Sequence, residues 1–471
     1  MIAAVQRRPL LALALLSALA SIHLLTIRIS PTVWQDEVQI VDYGRNFLAH
    51  DPQWSISWSP AQTPVTPLSY LGPVIQEMAY RAWPGVTGPR LLSLVGAVLA
   101  AYLLFRWLLA RDHSAQTALA LAAVFLLDPL FVQGYRGARV DAWVFVLVFA
   151  ACILVARPSQ LRAALAGALV VAAGFVWPSA IFLTPLVLIE LRRRRDLWGI
   201  AAGAVVALAL CAWPLLAQLQ SMLSDTAGVV EGASGDRAFT DVVRYFAASV
   251  AQSPLVMVAA VAGLMIAGRR VMALGVALGA VLLVMSQMTI HVHRVVYLLP
   301  YLLPIIAAAC ERLFRSDRRA IAQIGLLALI AWAFILSLVL RPALAWSARD
   351  ARDPKNYDRA ASAMPFLQSR LVFLGAWELY YAGRQHGWRM VRADPGIGPE
   401  AYRAMLDRLD YALIPADDPA APVSMLTGMG WRVVAQFTLP SPAPRLLAAG
   451  EPAARRYDVY TRKVFETMIN R

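Results

Sequence analysis

Along most of the chain, long apolar runs alternate with short polar breaks, and the pattern changes near residue 341. The runs cover roughly 10–29, 91–109, 118–132, 142–155, 163–176, 179–191, 200–219, 254–267, 271–288, 295–309 and 321–340. A helix needs about 20 mostly apolar residues to cross a bilayer. The pattern therefore predicts a polytopic α-helical membrane protein, with about eleven transmembrane helices in residues 1–341. Two short runs meet at Trp177 and Pro178. Proline lacks the amide that a helix interior requires, so a break falls there. The pattern leaves open whether these are two helices or one broken one.

Residues 342–471 are far less apolar and alternate short elements. Runs at 371–375, 388–392, 411–415, 431–439 and 457–462 are rich in the residue types of strands. Between them, 378–385, 400–409 and 423–429 have helical spacing. The expectation is a separate small α/β domain. Within the first part, a long polar segment, 30–90, separates the first two runs. It holds Trp34, Trp54, Trp58 and Trp83, residues that suit a membrane–water boundary. Val38, Val41 and Leu48 predict a short helix lying along a surface, with Asp42, Arg45 and Asn46 interrupting its apolar side. A second polar segment, 220–248, carries Asp225, Glu231, Asp236 and Asp241.

Composition agrees with the runs. The chain is 59% hydrophobic and 15% charged, where a soluble domain is about 45–50% apolar and about 25% charged. That excludes a soluble enzyme and a disordered chain. The net charge of +14 suggests nucleic acid only until the charges are placed. With the N-terminus in the cytoplasm, sixteen arginines fall in the short inner segments against five carboxylates. This is the positive-inside bias, so the basic charge describes orientation. It puts residues 30–90 and the tail from 342 outside the plasma (inner) membrane. Arg7 and Arg8 precede the first run, which continues past its small-residue stretch and is expected to be a retained helix rather than a cleaved signal. Cys152, Cys211 and Cys310 lie in apolar runs and read as buried apolar residues.

The candidate chemistry collects at the outer ends of the runs. Asp36 and Glu37 follow the first one. Adjacent residues on a helix differ by about 100°, so one can act while a partner holds the other. The plainer reading is a helix start with favourable acidic residues in its first turn. Asp141, in Ala138-Arg139-Val140-Asp141, stands at the mouth of the fourth run. It is either a functional carboxylate or a partner of Arg139. Asp128 precedes Pro129 and reads more simply as structural. His291, His293 and Arg294 form a third group. The two histidines fit a metal only on extended backbone, whereas Arg294 suits a phosphate or headgroup. Asp36, Glu37 and Asp141 have the chemistry for a divalent ion, but nothing in the sequence requires one.

The order of these features resembles the C-type integral membrane glycosyltransferases (GT-C). The resemblance is nearest to the dolichyl-phosphate-mannose–protein mannosyltransferase and lipid A aminoarabinose transferase group. It is carried by the Asp36-Glu37 pair in a long first outer loop, Pro67-Leu68-Ser69-Tyr70-Leu71 and Gly88-Pro89-Arg90-Leu91. Ala138-Arg139-Val140-Asp141 and Arg294-Val295-Val296-Tyr297-Leu298-Leu299-Pro300 complete it, within residues 1–341. The resemblance implies transfer of a sugar from a polyprenyl-phosphate donor to an outer lipid, glycan or protein acceptor, by inverting displacement. It implies that Asp36 is the general base, that Glu37 assists or orients it, and that Asp141 is the second acidic position. Arg139, Arg294 and His293 become candidates for the donor phosphate. The stretch after the pair, Val38-Gln39-Ile40-Val41-Asp42-Tyr43, departs from the usual aromatic and alanine pattern and leaves the acceptor open. The competing classes are a transporter or lipid flippase, disfavoured because the charges sit at helix ends rather than midway, and a structural subunit.

Overall fold

The computed structural model describes the chain except for residues 1–8, 50, 51, 59–63, 66, 192, 219–246, 249, 267, 287–291, 393–398, 417–421, 441–453 and 463–471. Most of the predicted segment 220–248, the turn at Asp417 and Asp418, and His291 lie outside the described residues. The chain divides into two compact units. A helical unit takes residues 1–25, 91–219 and 229–342, and a mixed unit takes 26–90, 220–228 and 343–471. The first long polar segment thus folds with the C-terminal part.

In the helical unit the described parts of the apolar runs are largely helical, but among the described residues a count of eleven full spans is not confirmed. Among the described residues, four helices are long and apolar enough to cross a membrane: Thr87–Ala110, Asp196–Leu216, Arg294–Phe314 and Arg319–Ser347. A bent pair, Ala115–Leu127 and Pro129–Arg136, makes a fifth if counted as one span. Leu10–Leu25, Asp141–Val155, Gln160–Val176, Pro178–Ile189 and Pro254–Met265 are shorter apolar helices. The reason is local. Asp128 ends one helix and caps the next through the Leu130 amide, so the run 118–132 turns by 54°. Trp177 is extended, with φ −159° and ψ 137°. It separates Gln160–Val176 from a 3-10 turn, Pro178–Leu183, and a short helix, Thr184–Ile189. The two runs at Trp177 are therefore distinct elements. Gln160–Val176 and Asp196–Ala212 meet backbone to backbone, because a Cβ on Gly203 would lie 1.8 Å from the Ala164 carbonyl oxygen. Small residues permit this approach where water supplies no drive for association.

The mixed unit contains a five-stranded sheet in the order β2-β1-β3-β5-β4. The strands are β1 Leu371–Leu374, β2 Arg389–Val391, β3 Tyr411–Pro415, β4 Arg432–Pro440 and β5 Ala454–Thr461. β1 pairs parallel with β2 and β3, while β5 runs antiparallel to β3 and β4. Alternate side chains enter opposite cores. Val372, Leu374 and Leu413 face a cluster that includes Val38, Val41, Ile56 and Tyr80 from the first polar segment. Phe373, Ala412 and Ile414 face a second cluster with Leu406, Leu426 and Trp431.

Candidate functional site

The predicted site residues fall into two clusters, one in each unit. In the mixed unit, the helix Gln35–Ala49 carries Asp36 and Glu37 in its first turn. The 100° step between neighbours separates them. Glu37 is fully buried and Asp36 is half-buried. Both Glu37 oxygens accept from Arg90: Nε donates at 2.9 Å and Nη2 at 2.8 Å. Arg90 Nη1 donates to the Ile27 carbonyl at 2.8 Å. Burial pushes the Glu37 carboxyl up from the ordinary carboxylate range, and Arg90 pulls against it. A bidentate, charge-assisted pair of this kind fixes orientation as well as energy.

The same helix holds a polar network that the sequence pattern does not reveal. Asp42 accepts from Arg45 Nε at 3.0 Å, from the Ser55 hydroxyl at 2.6 Å and from the Ile56 amide at 3.0 Å. The Tyr380 hydroxyl donates at 3.2 Å to Oδ1, the oxygen that Arg45 also holds, while Ser55 and Ile56 share Oδ2. Asn46 donates to Ser55 at 2.9 Å and to the Val65 carbonyl at 3.1 Å. The residues expected to interrupt an apolar face are therefore among its most buried. Gly44 lets the helix Leu71–Ala82 press against this one, since a Cβ there would lie 2.1 Å from the Pro73 carbonyl oxygen. On that second helix, buried Glu77 accepts from Arg81 at 2.8 Å and from both terminal nitrogens of Arg384, at 2.7 and 2.8 Å. The helix Gln35–Ala49 is thus held on several sides, and Asp36 stands at its start. A cavity of about 280 Å³ in this unit is bounded by Ile29, Val33, Arg352, Lys355, Tyr357 and Tyr381. It offers cations and aromatic walls to a polar guest.

In the helical unit, Asp141 begins the helix Asp141–Val155. Its Oδ2 accepts from Arg139 Nε at 2.6 Å, and its Oδ1 accepts from the Tyr297 hydroxyl at 2.6 Å. The turn ahead of it is tight: Ala138 has φ +53°, a left-handed conformation that is costly with a Cβ. Ser93 donates to the Arg139 carbonyl at 2.9 Å and ties this turn to the helix Thr87–Ala110. The guanidinium is thereby aimed and its charge balanced by one carboxylate. Next to it in sequence, Arg136 and Tyr135 close on His23, at 3.0 and 2.9 Å. His23, fully buried, carries no signal in the sequence pattern, since it sits alone within the first apolar run.

Arg294 is half-buried in a 3-10 turn, Val292–Leu298, and the side chain of His293 lies outside what the structure describes. Asp128 accepts from the Leu130 amide at 3.0 Å and from Ser253 at 2.8 Å, which makes it a helix cap. Among the described residues, no three His, Cys, Asp or Glu side chains stand where they would hold a metal ion.

No protein-family profile matches the chain, and no curated protein matches it in sequence. Solved structures do. The chain is similar to ArnT from Cupriavidus metallidurans bound to undecaprenyl phosphate, with TM-score 0.61 at 11% identity over 95% of this chain and 97% of that one. It is also similar to the arabinofuranosyltransferase AftD from Mycobacteria, with TM-score 0.59 at 19% identity over 96% of this chain. It spans 40% of the length of AftD. At these identities the likeness shows a shared fold, and that fold is the GT-C fold.

Proposed function

From this fold we propose that the chain is a membrane glycosyltransferase, moving a sugar from a polyprenyl-phosphate donor to an acceptor outside the membrane. Support for the donor class comes from the neighbour crystallised with undecaprenyl phosphate. We assign Asp36 as the general base. The observation that carries this assignment is the division of labour within the pair: Glu37 is consumed by Arg90, while Asp36 is half-buried on another side of the helix.

In this reading Asp36 takes the proton from an acceptor hydroxyl or amine as that atom attacks the anomeric carbon. A base must lie within hydrogen-bond reach of the proton it removes. The bond from the anomeric carbon to the phosphate oxygen breaks, and the prenyl phosphate leaves with a growing charge. Arg139 and Arg294 are the cations we assign to that charge, with Asp141 and Tyr297 holding the Arg139 plane in place. Glu37 positions Asp36 through the helix and takes no part in the proton transfer. The acceptor's polar group is assigned to the cavity bounded by Arg352, Lys355 and Tyr357.

The test is transfer of radiolabelled sugar from a polyprenyl-phosphate donor by purified protein. Asp36→Asn is expected to lower kcat by at least about 100-fold, the usual scale of a lost general base, with an unchanged thermal midpoint. Near-normal turnover in that variant removes Asp36 from the mechanism. Donor flipping in proteoliposomes with no sugar transfer replaces the enzyme with a flippase.

A further inference from the structure

A second cavity, of about 530 Å³, lies in the helical unit and plays no part in the proposed reaction. It is bounded by the turn after Thr87–Ala110 and by the helices Pro254–Met265, Arg269–Ser286 and Leu299–Phe314. Its walls carry five arginines, Arg111, Arg269, Arg270, Arg312 and Arg315, against two carboxylates. One of those carboxylates, Glu311, is already engaged by the Ser114 amide at 2.8 Å. Arg111 is taken up by Glu190 at 2.5 Å. Arg269, Arg270 and Arg315 have no ion pair among the described residues.

The positive charge is crowded. Burial first, and then the Arg111 charge, hold the His113 imidazole down to about 4 against the pull of Glu311 and Asp112, with Arg270 a smaller contribution. Like charges brought together without counter-ions repel, and a bound anion relieves that repulsion. Guanidinium groups match phosphate oxygens in plane and spacing. Two of the helices that line the cavity also expose large apolar side chains within about two turns of its lining residues in sequence. Met265 is 86% exposed at the end of one helix, and Met272 and Val276 are 61% and 73% exposed on the next. A free anion has no use for such flanks, but an acyl chain does.

We propose that this cavity binds the phosphate headgroup of an anionic phospholipid, with its acyl chains lying against Met265, Met272 and Val276. The arginine distribution assigns this end of the helices to the cytoplasmic leaflet. Basic pockets between membrane helices on that side suit such headgroups. The inference is independent of the sugar-transfer reading and survives its failure.

The experiment uses the full chain in detergent, with thermal unfolding and native mass spectrometry as readouts. The probes are phosphatidylglycerol, phosphatidylcholine and inorganic phosphate. Phosphatidylglycerol is expected to raise the unfolding midpoint and remain bound in the gas phase, while the other two do neither. The triple variant Arg269→Gln, Arg270→Gln and Arg315→Gln is expected to weaken phosphatidylglycerol binding at least tenfold. These side chains are exposed, so the variant should fold. A charge-matched control, Arg193→Gln, Arg194→Gln and Arg195→Gln, should bind as the parent does. Equal loss in the control means diffuse attraction to the bilayer and overturns the proposal. Equal stabilisation by inorganic phosphate means a site for a soluble anion and overturns it too, as does unchanged binding in the triple variant.

Discussion

Glu37 and Asp141 each sit in the first turn of a helix and each hold an arginine, but the two pairs are built differently. The partner of Glu37 lies 53 positions away and takes both its oxygens, and neither side chain is exposed. The partner of Asp141 lies two positions away and takes one oxygen, leaving the other to Tyr297, 156 positions distant. A long-range closed pair fastens one chain segment to another. A local pair supported from a distance aims a single side chain. The first arrangement suits architecture and the second suits a site, although residue types and burial are nearly the same.

Substitutions can break this contrast. The largest effect on folding is predicted for Glu37→Gln, which leaves Arg90 buried without its counter-charge. Breaking a buried pair costs about 3–5 kcal/mol, so the thermal midpoint in detergent should drop sharply. Adding Arg90→Met should restore part of that loss, because a buried pair replaced by apolar groups is often neutral. A double variant no more stable than the single one would refute the fastening role. Asp141→Asn should instead lower kcat by about tenfold or more with a smaller change in midpoint, since charge stabilisation at a leaving group is worth several kcal/mol. If stability falls as far as in Glu37→Gln, the two pairs are alike after all. Tyr297→Phe is expected to cost only about 1 kcal/mol, the scale of interhelical hydrogen bonds in membranes. Urea or thermal titration against the parent measures it. Smallest of all, Lys355→Gln should raise KM for the acceptor severalfold at constant kcat, as loss of uniform binding does. A kcat effect there would move the acceptor's polar group elsewhere.

The sheet was legible because strand chemistry is local: β3, Tyr411–Pro415, coincides with its predicted run, β1 ends one residue before its run does, and β2 is one residue shorter at each end. The helix break at Trp177 was legible for the same reason, through the proline that follows it, whereas the run 118–132 was read as one helix and the bend at Asp128 was not foreseen. The number of full spans was not, because hydropathy counts apolar residues and is blind to where a chain bends. The burial of Asp42, Arg45 and Asn46 was also hidden. Their partners include Tyr380, 338 positions from Asp42, and no periodicity within one helix encodes that. Asp36 and Glu37 stood out as a pair, and only the family resemblance, not their spacing, preferred Asp36 as the base. Hidden from spacing was the partner of Glu37, because Arg90 lies 53 positions away.

The strand order has a consequence for how the protein is made. β5 follows β4 in the chain yet lies between β3 and β4. Until residues 454–461 arrive, β4 has no neighbour to bond. Val38, Val41, Ile56 and Tyr80 wait longer still, because their core is completed by Tyr380, Leu413 and Val459. The whole run 91–342 is synthesised in between. During that interval an unfinished half-core stands ready to associate wrongly. For a chain delivered from one end, the segment carrying Asp36 is therefore made well before the strands that complete its core.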